Sequence, residues 1–338
     1  MATLERNAPR EYTTYRISVE QFKSFRERGF LVVKGLVSPD DVQEMNDYME
    51  DMRAGRVLNE DGLNIQGFGV KPSERRSAVR VHMLHRIAPI HERYLLHPRL
   101  LDVLAALIGP DVLALQSMLF FKDPGQEGQG YHQDSYYIPT FPDTLCGAWL
   151  ALTPATIANG CVWYAEGSQH EPVYPDPRGM GAALSTNIED LGTIENASSM
   201  DEAANGLNRV VKNYAGQIVA AEAEPGDVVF FGGHIVHWSY NNQSAVPRRA
   251  CVGHYCNARS FVPWNYGQPY EGESGNYLHI LARGATHLPY AQPKFGTPCA
   301  ANAPRPAADA KGAGADMMMG MEDGMMSAMP HAGGADPD

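Results

Sequence analysis

The stretch Tyr131-His132-Gln133-Asp134 places an imidazole and a carboxylate two positions apart. On an extended strand, residues two positions apart point to the same face of the sheet. His132 and Asp134 are therefore expected to lie side by side, as two-thirds of a 2-His-1-carboxylate metal site. Two ligands do not hold a metal, so a histidine is expected far along the chain, on a strand folded back across the first.

Residues 227–239 offer two histidines, His234 and His237, for the third position. Their parity along a continuous strand differs, so only one of them can face the metal. Arg248 follows His237 by eleven residues and is a candidate for bidentate binding of a carboxylate. Ser239 shares the face of His237 and adds a hydroxyl to the same region. We therefore choose His237 as the third ligand and place His234 on the other face.

These motifs resemble the phytanoyl-CoA dioxygenase family of Fe(II)/2-oxoglutarate oxygenases. The resemblance covers roughly residues 18–262 and includes the runs 115–125 and 147–152. It extends to Asn159-Gly160-Cys161 and to Gly167-Ser168-Gln169-His170, where the family more often has Pro-Gly-Ser-His.

The resemblance implies an all-β core with flanking helices. This core is a double-stranded β-helix, the jelly roll of cupin-like proteins, with the amino-terminal helices outside one sheet. It also implies a catalytic Fe(II) and two co-substrates, 2-oxoglutarate and O2. The implied iron ligands are His132, Asp134 and His237. The implied co-substrate residues are Arg248, Ser239 and Trp149.

Strand parity adds one further candidate contact to 2-oxoglutarate, from either Gln116 or Lys122. Residues 112–122 form a predicted strand on which Gln116 and Lys122 share a face. If that face is inward, either side chain can touch 2-oxoglutarate. His254 has the parity of Arg248 and is expected to be a core histidine.

The implied reaction is hydroxylation of an unactivated C–H bond of a small organic substrate, with release of succinate and CO2. Desaturation, cyclisation and epoxidation stay open. A halogenase would lack the carboxylate ligand, so Asp134 argues against one. A non-catalytic jelly-roll binding protein stays an alternative, and it would make no succinate. A zinc hydrolase is a weaker alternative, because Arg248 lies at the spacing expected of a co-substrate residue.

A CoA thioester would require basic residues for its phosphates, for which Arg75, Arg76 and Arg80 are available.

Composition limits the partners and the compartment. The 338 residues carry a net charge of −12 without a basic stripe, which argues against nucleic acid and leaves a small-molecule substrate. Five irregularly spaced cysteines and a start without the apolar core of a signal peptide favour the cytoplasm. The apolar runs are too short to span a membrane. The protein is expected to be a monomer or a homodimer.

Residues 1–300 are predicted to form a single catalytic domain with amino-terminal helices and lid insertions at 55–80 and 171–213. Residues 301–338 are predicted to be a disordered, acidic, Met-rich tail. Two local predictions concern helices: His82 and His85 on one helix face, and a short helix at 199–204. The aromatic segment 261–290 either lines the substrate mouth or packs in the core.

Overall fold

The computed structural model describes residues 10–54, 56, 79–197, 199–264 and 279–299. The predicted tail at 301–338 and most of the predicted loop at 55–80 lie outside these residues, so both stay predictions. Chain contacts group Met1–Asn302 into one compact unit. No helix among the described residues is long and apolar enough to cross a membrane.

The amino-terminal helices begin and end where their capping residues predict. Ser18 and Gln21 form a capping box at the start of the first helix, and Gly29 ends it with a φ of 83°. Ser38 caps the second helix, and Pro39 occupies its first position. The helices are α1 (Val19–Arg28), α2 (Pro39–Arg53), α3 (Pro89–Leu95), α4 (Pro98–Ile108), α5 (Asp134–Tyr137) and α6 (Asn208–Val211).

Two antiparallel sheets form the rest of the core. The major sheet has the order β1-β8-β5-β10-β3-β11, with β2 also paired to β3, and the minor sheet has the order β4-β9-β6-β7. The strands are β1 (Phe30–Val33), β2 (Val79–His82), β3 (Val112–Lys122), β4 (Gln129–His132), β5 (Cys146–Ala151), β6 (Val162–Ala165), β7 (Ile218–Ala221), β8 (Val228–Gly232), β9 (His237–Ser239), β10 (Arg248–Asn257) and β11 (Ile280–Arg283).

Each face of the major sheet buries a different set of side chains. The outer face packs against the amino-terminal helices, with Met45 and Leu101 from the helices meeting Phe121 and Phe230 from the strands. The inner face packs against the minor sheet, where the ring of Trp149 joins the same apolar cluster as Tyr164. Apolar burial on both faces therefore fixes the major sheet in the middle layer. The predicted jelly roll with helices outside one sheet is confirmed.

Several local predictions were wrong. Residues 227–239 do not form one strand, because the chain leaves the major sheet after β8 and enters the minor sheet at β9. His82 lies on β2 and His85 in a 3-10 turn, so they share no helix face. Residues 199–204 form turns, and the short helix follows them at α6.

A buried carboxylate ties the end of the described chain to the helical layer. Glu92 on α3 is fully buried and accepts hydrogen bonds from the backbone N–H groups of Lys294 at 2.6 Å, Phe295 at 3.1 Å and Thr297 at 3.3 Å. Hydrogen bonds to a charged group are stronger than neutral ones. Residues 294–297 are therefore part of the folded unit.

We expect Glu92→Gln to lower the free energy of unfolding by about 2–3 kcal/mol, because the amide loses the charge and turns an N–H group toward the backbone donors. Urea denaturation would measure this. Glu189, which is exposed, provides the control Glu189→Gln. Equal stability of the two variants would show that Glu92 does not hold the segment.

Candidate metal centre

Two ligands that are neighbours in sequence and one that is distant meet inside the barrel. His132 at the end of β4 is the direct cross-strand partner of His237 at the start of β9, and their ring centroids are 4.0 Å apart. The Nε2 atoms of His132 and His237 lie 3.6 and 3.7 Å from Oδ1 of Asp134. The three ligand atoms all lie within 4.8 Å of one another. The predicted triad is therefore assembled at one point.

Asp134 reaches this point by a different local structure from the predicted one. It lies on the first turn of α5 and not on a strand. The residue before it, Gln133, keeps extended backbone angles (φ −118°, ψ 129°), so His132 and Asp134 still point to the same side.

The backbone fixes the tautomer of both histidines. His132 donates from Nδ1 to the carbonyl of Gly130 at 2.8 Å, and His237 donates from Nδ1 to the carbonyl of Ile235 at 3.0 Å. Each Nε2 therefore carries a lone pair toward Asp134, which is the state that a metal requires. The amide of Gln129 lies 2.9 Å from Nε2 of His132, which places this side chain at the same point.

His254 holds the second oxygen of the carboxylate. Its Nε2 lies 3.0 Å from Oδ2 of Asp134, which leaves Oδ1 facing the two histidine ligands. His254 was expected to be a core histidine; it is buried, and its hydrogen-bond partner is Asp134. Its shared strand parity with Arg248 was the sequence signal for this position.

The electrostatics keep His132 and Asp134 in their ligand-competent forms. Burial, followed by the neighbouring His237, lowers the pKa of His132 to about 3, so this imidazole is neutral at physiological pH. Burial alone would raise the pKa of Asp134, but the nearby His237 and the hydrogen bond from His254 outweigh burial and hold that pKa below its usual range. Two neutral imidazoles and one carboxylate are the donor set of non-haem Fe(II) sites.

His234, the competing histidine, has a separate role. It lies in the turn between β8 and β9, with Nε2 2.7 Å from Oδ2 of Asp143 and Nδ1 2.8 Å from the carbonyl of Glu171. Burial would lower the pKa of His234, but the bond to Asp143 outweighs it and raises that pKa. His234 therefore joins two loops and does not approach the triad.

Two buried cations lie beside the metal centre. Arg248 and Lys122 are direct partners on β10 and β3, and both line the cavity that also contains the triad. They are 3% and 1% exposed, and neither makes an ion pair with a carboxylate that the structure describes. Burial lowers the pKa of Lys122 to about 6, with Arg248 acting in the same direction. Burial also lowers the pKa of Arg248 to about 10.

Most of the fold, with its site, matches a known family. The family model described as Phytanoyl-CoA dioxygenase (PhyH) matches residues 25–250, which include both histidine ligands, Asp134 and Arg248. This chain belongs to the phytanoyl-CoA dioxygenase family.

Curated members of the family align with most of the chain. Phytanoyl-CoA dioxygenase 1 of Oryza sativa subsp. japonica is 26% identical over 265 residues, covering 70% of this chain and 87% of the rice protein. The peroxisomal phytanoyl-CoA dioxygenase of Homo sapiens is 27% identical, covering 72% of this chain and 69% of the human protein.

Solved structures show the same fold at lower identity. The non-haem α-ketoglutarate-dependent carbocyclase SnoK from nogalamycin biosynthesis superposes with a TM-score of 0.55 at 21% identity, covering 78% of this chain and 95% of SnoK. EctD from S. alaskensis, solved with 2-oxoglutarate and 5-hydroxyectoine, superposes with a TM-score of 0.54 at 21% identity, covering 77% of this chain and 84% of EctD. With the family and the triad, the chain is a non-haem Fe(II)/2-oxoglutarate-dependent oxygenase, with O2 as the second co-substrate.

The other predicted site residues divide between two adjoining cavities. Ser239 and Trp149 line the inner one with Arg248, whose guanidinium carbon lies 5.4 Å from the Trp149 ring centroid. Gln116 lines the outer cavity, where its amide nitrogen is 2.7 Å from Nδ1 of His82. Lys122, a strand-parity candidate, lies 3.0 Å from the Ser239 hydroxyl.

We expect a graded loss of iron from three histidine variants. His237→Ala removes a ligand and should reduce Fe(II) affinity more than about 100-fold, because the loss of a supporting residue alone typically costs 10–100-fold. His254→Ala should fall within that smaller range. His234→Ala should keep full iron occupancy. Metal analysis after dialysis against Fe(II) would measure all three, and retention by His237→Ala with loss from His234→Ala would overturn the ligand assignment.

Proposed function

We propose that this enzyme hydroxylates an unactivated C–H bond of a small organic substrate, with conversion of 2-oxoglutarate and O2 to succinate and CO2. The observation that supports this most directly is that the His132, Asp134 and His237 side chains share one cavity with two buried basic side chains, Arg248 and Lys122, that have no described carboxylate partner. A dianionic co-substrate that binds both the metal and a cation fits this arrangement.

We assign the metal to His132, Asp134 and His237. When bound, Fe(II) supplies the redox chemistry that couples decarboxylation of 2-oxoglutarate to attack on the substrate. His254 restrains Asp134 so that one oxygen is directed at the metal position, and the two backbone carbonyls keep both imidazoles in the Nε2-ligating tautomer. These residues fix the ligand geometry before the co-substrate arrives.

We assign the distal carboxylate of 2-oxoglutarate to Arg248, Lys122 and Ser239. Like charges directly opposite each other in a sheet are destabilising, and a buried charge without a partner is costly. A carboxylate between Arg248 and Lys122 offsets both effects. The ammonium group of Lys122 also donates to the carbonyls of Gly160 at 3.2 Å and Tyr240 at 2.6 Å, which fixes its position.

Apolar side chains keep water away from this co-substrate site. The inner cavity is walled by Trp149, Val162, Tyr164 and Phe231, and three of these four are buried. A low-dielectric wall strengthens the attraction between a carboxylate and its cations. Ala197 and Met200, from the predicted lid at 171–213, line the outer cavity, which supports a role for this segment over the substrate mouth.

The proposal includes a cytoplasmic enzyme that acts as a monomer or a homodimer. The five cysteines are free, and four of them are buried, as expected for a protein in a reducing compartment. The outer cavity has the size of a small-molecule site and not of a macromolecular groove.

A succinate assay tests the proposed function. Protein loaded with Fe(II) and supplied with 2-oxoglutarate and O2 should form succinate, and candidate substrates should accelerate it. A protein that binds Fe(II) and 2-oxoglutarate but forms no succinate with any candidate would be a non-catalytic binding protein. Mass analysis of the product, which should gain one oxygen, separates hydroxylation from desaturation or cyclisation.

Arg248→Ala should raise the KM for 2-oxoglutarate about 100-fold or more while Fe(II) still binds. The reason is that losing one member of a buried charge pair typically costs about 3–5 kcal/mol, and about 1.4 kcal/mol is tenfold in affinity. Arg249 points to the opposite face, where it pairs with Glu50, so Arg249→Gln should change this KM little. Steady-state titrations that show the reverse order would move the anchor to Arg249.

Lys122 should make 2-oxoglutarate binding proton-linked. Its pKa of about 6 leaves the free amine mostly neutral at pH 8, and a bound carboxylate raises that pKa, so binding should take up as much as about one proton. Affinity should therefore rise as the pH falls from 8 toward 6. Calorimetry in buffers of different ionisation enthalpy measures the uptake, which Lys122→Met should abolish. Wild-type binding without proton uptake would contradict the assignment.

A further inference from the structure

The outer cavity is where a substrate would reach the metal. It shares His132, Asp134 and His254 with the inner cavity and continues outward to Ile138 and Trp264. Its wall is therefore in part the metal centre itself. A substrate bound there has its reacting carbon close to the iron position.

Arg80 is a cationic side chain in the wall of both cavities. It lies on β2 directly opposite Phe120 of β3, and its guanidinium carbon is 5.9 Å from the Phe120 ring centroid. Phe120 has the inward parity of Lys122, so Arg80 faces the interior of the barrel.

Arg80 has no carboxylate partner among the residues that the structure describes. Several other arginines of the folded unit do: Arg53 pairs with Asp123 at 3.0 Å, Arg93 with Glu44 at 2.6 Å and Arg283 with Asp102 at 2.7 Å. Arg86 and Arg209 instead donate to backbone carbonyls. Arg248, the other arginine of the cavity, also lacks one, and there the proposed partner is 2-oxoglutarate. Arg80 is exposed where Arg248 is buried, and because it faces the cavities, an anion of a ligand bound there is within its reach.

In a site that holds Fe(II) and 2-oxoglutarate, the remaining charges favour binding of a second anion. Two positive charges of Fe(II) and one of Arg248 are balanced by Asp134 and by the two carboxylates of 2-oxoglutarate. Arg80 and a protonated Lys122 then leave an excess of positive charge. Glu127, at the outer cavity, offsets at most one of these charges. His82 adds hydrogen-bonding capacity and no charge, because burial, with His254 and Arg80, lowers its pKa to about 4.

We propose that Arg80 binds an oxyanion of the substrate, and that the substrate is a small carboxylic acid whose carboxylate lies near the carbon that reacts. This inference rests on the proposed oxygenase function. A CoA thioester would also bring oxyanions, but its phosphates are separated from the acyl carbons by the whole pantetheine arm. Arg80, which shares a cavity with the iron ligands, is placed for a group close to the reaction.

The test uses matched triples of probes: straight-chain and branched carboxylic acids, their primary amides and their CoA thioesters. Binding is measured by calorimetry to the full-length protein loaded with Ni(II) and 2-oxoglutarate, which requires no turnover. Succinate formation is measured separately with Fe(II). The variants are Arg80→Gln and Arg80→Lys. Arg259→Gln is the control, because Arg259 is an exposed arginine paired with Asp111 outside the cavities.

We expect the wild type to bind acids about 10–100-fold more tightly than their amides, which is the range of a charge-assisted hydrogen bond. Arg80→Gln should remove this preference by weakening the acids and leaving the amides within about twofold. Arg80→Lys should keep part of the preference, and Arg259→Gln all of it. The KM for 2-oxoglutarate should rise far less in Arg80→Gln than in Arg248→Ala.

Four outcomes would overturn the inference. The first is equal binding of acids and amides, and the second is an acid preference that survives Arg80→Gln. The third is binding of thioesters alone, and the fourth is a rise in the KM for 2-oxoglutarate in Arg80→Gln as large as in Arg248→Ala. The third outcome would assign Arg80 to CoA phosphates, and the fourth to the co-substrate. Absence of succinate from the wild type with every probe would instead overturn the oxygenase function, while the Ni(II) binding data would still decide the role of Arg80.

Discussion

The antiparallel pairing of β4 with β9 sets His132 directly opposite His237 and thereby determines where a metal can bind. The two histidines are more than a hundred residues apart, so only the sheet register brings them together. That register depends on the minor sheet being held against the apolar inner face of the major sheet. A slip by one residue would turn every side chain of a strand to the other face and separate the ligands.

Strand parity was enough to predict the triad, but only in part for the right reason. Alternation correctly placed His132 beside Asp134, because Gln133 is extended even though Asp134 itself begins α5. The choice between His234 and His237 assumed one strand, whereas the chain turns at residues 233–236 and changes sheets. A period-two pattern does not show such a turn, because β8 and β9 are only five and three residues long.

Helix boundaries were predicted well where capping chemistry is local, as at Ser18 and Ser38. His254 and Lys122 show what local patterns miss. A buried histidine on a strand looks the same in sequence whether it meets a backbone carbonyl or, as here, a carboxylate from a residue 120 positions away. Parity made Lys122 a candidate for an inward side chain, and only its cross-strand partner Arg248 shows that two basic side chains are buried together. Long-range pairing determines both roles.

The histidine tautomers depend on the main chain and not on other side chains. Gly130 and Ile235 contribute only their carbonyls, and a substitution at a lining position does not remove a carbonyl. The tautomer of each imidazole is therefore insulated from changes in the cavity wall. In terms of molecular evolution and engineering, the walls around Met118, Ile138 and Trp264 are free to be remodelled for new substrates while the coordination chemistry stays constant.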